Sequence, residues 1–155
     1  RLRGYGDVFK NAAVRAGLPK PDLSSPEALK KTILAAKSIM VTTGPSNASL
    51  YALFDRLGVG KEMRAREVLR TPGQEMTDPL LSGRVDLVFT QASELFAVKG
   101  ITYAGTLPVG ADIVMTYVAA FHKAAPQPAA AKALVEFLTS SEAVKVLKEN
   151  ALEPA

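Results

Sequence analysis

Apolar residues recur along this chain in two rhythms, and the switches between them mark the elements. Leu29, Ile33 and Leu34 fall near one face of a 3.6-residue period and predict a helix over 26–37. Ser25 supplies an N-cap, Pro26 fits the first helical position, and Glu27 favours the first turn. "SIMVT" behind it is short and apolar throughout, a buried strand. Leu50, Leu53, Phe54 and Leu57 return to helical spacing, and Gly58 stops the run. The segment 7–17, "DVFKNAAVRAG", alternates weakly and reads as a strand or an extended hinge segment. "GKEMRAREVLRT" predicts a connector and a short strand over 67–70. "PGQEMTDPLLSGR" predicts a helix over 74–82, in which Pro79 must kink the axis or occupy the first turn. "VDLVFTQ" is the best central strand, "ASELFAV" a short helix, and "ITYAGTLP" a further strand. Residues 112–122 form a long β-branched strand, and two helices meeting at Ser140-Ser141 finish the chain.

The alternation of strands with helices argues an α/β fold: a doubly wound, mostly parallel sheet in three layers. The bulk composition fits. Hydrophobic residues make up 48% of 155 and charged residues 22%, and no apolar run approaches the ~18 residues of a membrane span. The net charge of +4 is scattered, with no basic stripe for nucleic acid. With no cysteine and one histidine, His122, thiolate metal sites, disulfides and cysteine nucleophiles are excluded. His122 reads as a surface or loop residue, and Glu94 and Asp112 have no nucleophile beside them. No nucleophile elbow, phosphate loop or metal set is present, so the residues give no ground for an enzyme, a metal or a cofactor.

Three stretches carry candidate chemistry. The first is "TTGPSNAS", between a strand and a helix. Ser46 or Asn47 caps the helix, and the first-turn N–H groups of Asn47, Ala48 and Ser49 lack intrahelical acceptors, so they could hold an oxyanion. Capping with nothing bound explains the same residues. The second is "TPGQEMTDP", where Gly73 would let backbone approach a ligand and Gln74 starts a helix; a plain turn is the alternative. The third is "FTQASEL", where Thr90, Gln91 and Ser93 would face the same cleft; the alternative is that Ser93 only caps the next helix, with Glu94 in its first turn. Tyr51, Tyr103 and Tyr117 read as half-buried packing residues, and Tyr51, in the first turns of its helix, could line the cleft.

"LSSPEALKKTILAAKSI", "GVGKEMRAREVLRTPGQEMTDPLLSGRVDLVFTQASEL", "GTLPVG" and "AKALVEFLTSSEAVKVLKENALEP" together resemble the extracytoplasmic solute-binding proteins of the molybdate-binding type. The resemblance covers most of 14–154. It implies the type II periplasmic binding protein fold, here N-terminally truncated. On it, 1–37 is the crossover segment and helix from the first lobe, 38–112 the second α/β lobe, and 113–155 the return hinge strand and helix pair. Residues 8–16 and 112–121 should then run side by side. The implied function is the solute-binding component of an ABC importer in the periplasm. A small oxyanion such as molybdate would be gripped by Ser46, Asn47, Ala48, Ser49, Gly73, Gln74, Thr90 and Gln91 on hinge closure. The family's tyrosine at the end of the central strand is replaced here by Thr90 or Gln91. Implied partners are the anion and a membrane permease, with no nucleic acid. Leu134, Phe137, Leu138, Val144 and Leu147 would be left uncovered by the absent lobe, which predicts a homodimer or a repositioned helix pair. The alternative function is the ligand-sensing domain of a transcription regulator with the same fold.

Overall fold

The computed structural model describes residues 2–44 and 47–154, in two compact units. The larger unit, Phe9–Ile113, is built on a four-stranded sheet. Its strands are β1 (Leu2–Arg15, entering from the other unit), β2 (Ile39–Val41), β3 (Leu87–Gln91) and β4 (Ile101–Thr106). Their order is β2-β3-β1-β4. β2 pairs parallel with β3, while β1 runs antiparallel to both β3 and β4. Three strands therefore point one way, and β1 is inserted against them.

The helices of this unit are α1 (Pro26–Ala35), α2 (Asn47–Arg56), α3 (Gly60–Ala65), α4 (Asp78–Leu81) and α5 (Ala92–Leu95). The cap read for α1 forms: the Ser25 hydroxyl accepts from Ala28 N–H at 3.1 Å. α3 lies where the sequence predicts only a connector. The strand predicted over 67–70 shrinks to a parallel bridge between Glu67 and Ile39. The helix predicted over 74–82 is reduced to α4, with Pro79 in its first turn. One face of the sheet packs Ile39, Val41, Leu87 and Phe89 against Leu29, Ile33, Leu50, Leu53 and Phe54. The other packs Met40, Val88 and Ala13 against Met76, Leu80 and Leu95.

α1 has no basic residue in its last turn, and Arg66, just past α3, takes that role. Its guanidinium donates to the carbonyls of Leu34 at 2.7 Å and Ala36 at 3.1 Å. These are the orphan acceptors at the negative end of α1. Arg66→Ala is therefore expected to cost about 1–2 kcal/mol in urea unfolding, whereas Arg66→Lys keeps part of it. An unchanged midpoint for Arg66→Ala would refute the capping role.

The smaller unit comprises residues 1–8 and 114–155: the start of β1, β5 (Val114–Ala120), α6 (Pro128–Leu138) and α7 (Ser141–Glu149). β5 pairs with β1. Asp7 meets Thr116 and the Lys10 N–H meets the Ile113 carbonyl, so the two chains run antiparallel over 7–10 and 113–116. The expected neighbouring segments thus meet through the earlier part of β1, because residues 11–15 are occupied by β3 and β4. Asp7 and Glu153 exchange backbone hydrogen bonds, and the Ser140 hydroxyl caps α7. Val135 and Ala143 are buried, Leu138, Val144 and Leu147 half-buried, and Leu134 and Phe137 exposed.

Candidate functional site

Strand direction decides which edge of the larger unit can hold a ligand. In open α/β sheets the ligand edge lies at the carboxyl ends of the parallel strands. Here that edge carries Thr42–Gly44 after β2, Thr90 and Gln91 at the end of β3, Thr106 at the end of β4 and Leu107 after it. Lys10 and Asn11 of the inserted β1 stand at the same end, opposite Gln91 and Thr90. The segment 66–68 runs parallel beside β2, bonded to Ile39 on both sides, so Arg70–Gly73 emerges there as well.

Two of the predicted stretches come together in one cleft of about 300 Å³, lined by Thr43, Arg70, Thr71, Pro72 and Gly73. Thr71–Gln74 forms a β-turn, with the Gln74 N–H donating to the Thr71 carbonyl at 3.1 Å. Pro72 at its second position and Gly73 at its third, with φ +79°, are the residues a type II turn requires. Gly73 is therefore fixed by turn geometry, and a side chain there would be strained. Gln74 serves this loop. Its carbonyl accepts from Arg70 Nε, and its amide oxygen accepts from Arg84 at 3.1 Å. The first of these bonds sets the plane of the Arg70 guanidinium at the cleft wall.

α2 starts at Asn47, with Ala48 and Ser49 exposed in its first turn; Ser46 lies outside the described residues. The Asn47 N–H is turned back onto the Gly44 carbonyl at 3.1 Å. That removes one of the three donors predicted for an anion and leaves the dipole and the later first-turn groups. Tyr51, one turn on, donates to Glu67, and burial together with that bond pushes its phenol up to about 12. Arg64 lies 5.5 Å from the Tyr51 ring centre and pairs with Asp55 at 2.6 Å, so α2 is tied to α3.

Thr90 is fully buried, and its hydroxyl donates to the Glu94 carboxylate. Thr90 and Gln91 are consecutive strand residues and face opposite sides of the sheet, so they cannot both look into one cleft. Gln91 is half-buried opposite Lys10, and Asn11 accepts from the Tyr103 hydroxyl at 2.6 Å.

Two cations at this edge carry no local sequence signal. Arg70 sits in irregular backbone without periodicity. Lys10 falls in the weakly alternating run and is fully buried. Burial drives its ammonium down to about 8, against the opposing pull of Glu94. Among the described residues no cluster of acidic and histidine side chains could hold a metal, and no helix is long and apolar enough to cross a membrane.

Comparison with known proteins adds three likenesses. An aconitate isomerase from Pseudomonas sp is 34% identical over 150 residues, covering 96% of this chain and 57% of its own length. The chain thus spans little more than half of the curated relative it matches. The periplasmic molybdate-binding protein of Azotobacter vinelandii superposes with a TM-score of 0.72 at 17% identity, covering 97% of this chain and 67% of its own. PEB3 of Campylobacter jejuni with L-phospholactate bound gives 0.72 at 12% identity, covering 98% and 68%. The two structures establish the type II periplasmic binding protein fold.

The isomerase overturns the exclusion of an enzyme. That exclusion rested on missing nucleophile elbows, phosphate loops and metal sets, and an isomerisation needs none of them. The model of one family covers residues 11–152 in a single match. The chain belongs to the bacterial extracellular solute-binding proteins.

Proposed function

We propose that this chain supplies one side of the ligand cleft of an extracytoplasmic solute-binding protein, and that its ligand is a small anion bearing carboxylates. The observation that carries the reading is Arg70 in the same cleft as Thr43 and the Thr71–Gly73 turn. A guanidinium held in plane by Gln74 matches a carboxylate with two parallel hydrogen bonds. The first turn of α2 adds its dipole, worth about 0.3–1 kcal/mol at an exposed site. The name of the 34% identical relative supports a carboxylate over a tetrahedral metal oxyanion. Hinge closure around the anion and delivery to a membrane permease of an ABC transporter complete the reading.

The test is a thermal scan of the full-length protein, with both sides of the cleft present, against trans-aconitate, tricarballylate, molybdate and sulfate. At about 100 times its dissociation constant a ligand adds ~2.7 kcal/mol, a rise of roughly 5–10 °C for a chain of this size. Tricarboxylates are expected to shift the protein, Arg70→Ala to weaken them about 10- to 100-fold, and Arg70→Lys to recover part of the loss. A shift with molybdate alone would replace the carboxylate reading by the oxyanion one. A second reading, catalysis on the bound anion, is favoured by the same 34% identity. Proton NMR of cis-aconitate with the full-length protein in D2O tests it. Geometric conversion or deuterium uptake at the methylene supports an isomerase, and an unchanged spectrum removes it.

A further inference from the structure

Lys10 is the charged side chain at the ligand edge that the cleft itself does not use. It is fully buried, and its place on β1 gives it a side. Strand residues alternate faces, and Ala12 packs in the cluster that holds Leu50, Leu53 and Phe54 of α2. Lys10 thus stands on the α2 face, opposite Gln91. Two strand spacings, about 10 Å, separate β1 from β2, which leads into Thr43. Around Lys10, α5 contributes Glu94, β3 contributes neutral Gln91, and Leu107 and Ile113, bonded to its backbone, are apolar.

We propose that Lys10 is a specificity-determining residue of the anion site, a buried positive charge behind the cleft that selects multiply charged anions over singly charged ones without touching them. The inference rests on the anion reading above. At ~10 Å and an effective dielectric constant near 20, a unit charge pair corresponds to roughly tenfold in affinity for each added ligand charge. The coupling is reciprocal: an anion in the cleft favours the ammonium, so binding near pH 8 takes up a fraction of a proton.

Isothermal titration calorimetry with tricarballylate, glutarate and butyrate tests this on the wild type, Lys10→Met and Lys10→Gln. Two buffers of different ionisation enthalpy at pH 8 report the proton. In the wild type, affinity is expected to climb steeply with carboxylate number and proton uptake to accompany it. Both variants are expected to lose about tenfold for butyrate and about tenfold more for each further carboxylate, and to take up no proton. A ladder unchanged in the variants, or one lowered equally for all three ligands, would make Lys10 a structural residue and overturn the proposal. If the wild type binds none of the three, the anion reading falls and this one with it. Should neither variant fold, the Lys10 ammonium is titrated by NMR in the wild type. Its midpoint must move up with tricarballylate, and a fixed midpoint refutes the coupling.

Discussion

Lys10→Met is expected to raise stability at pH 7 by roughly 2 kcal/mol. The ammonium titrates at about 8 in the folded chain against an ordinary 10.5. Below pH 8 both states are protonated, and the folded state carries the full cost of a buried charge, roughly 3 kcal/mol. About 1 kcal/mol is returned by the interactions the lysine makes. Between pH 8 and 10.5 the unfolded chain binds the extra proton, so wild-type stability rises with pH and the cost disappears. The advantage of Lys10→Met should therefore be largest at pH 7 and nearly gone by pH 10. Urea midpoints of both proteins across that range measure it. A variant less stable than wild type at pH 7 would mean that the partners of Lys10 outweigh its desolvation. A residue that costs stability where it stands is more economically explained by the site than by the fold.

Phe54→Ala is expected to cost about 3–5 kcal/mol. Phe54 has no exposed surface and meets Phe89 with ring centres 5.2 Å apart, tilted by 59°. Truncation removes the apolar area, leaves a cavity between α2 and β3, and ends an aromatic pair worth about 0.5–1.5 kcal/mol. At ~2–4 °C per kcal/mol the melting point should fall by roughly 10 °C. Phe54 also fixes α2 against the strand that ends beside the cleft, so anion affinity should fall along with stability. Leu69→Ala is the control: Leu69 is 76% exposed, and its loss should stay within about 0.5 kcal/mol. A Phe54→Ala protein melting within two degrees of wild type would show that the core closes over the gap.

What the sequence revealed depended on how local the cause was. Ser25, Pro26 and Glu27 form α1 by contacts inside one turn, and they could be read directly. So could Gly73, whose positive φ serves a type II turn in the lining of the cleft. α3 escaped because six residues give too short a window for a 3.6-residue period. The direction of β1 was hidden for another reason. Alternation along a strand says which residues share a face, and nothing in it says which way the neighbours run. Arg70 and Lys10 were not legible as candidate site residues because their placement comes from β2 and β3, which lie far from them in sequence. Thr90 shows the converse. Its position at the end of the central strand was right, yet its hydroxyl is spent on Glu94.

The insertion of β1 sets the order in which this chain can assemble. Its residues are made before those of the strands it joins: Ala12 pairs with Phe89 and Asn11 with Thr106, partners that follow much later in the chain. β2, α2 and α3 can form early from near neighbours, whereas β1 stays without its sheet partners until β3 and β4 arrive. Such a topology concentrates loop-closure entropy in one late step and leaves strand edges unpaired meanwhile. Refolding should therefore be slow for a chain of this length, and its losses to aggregation should rise steeply with protein concentration.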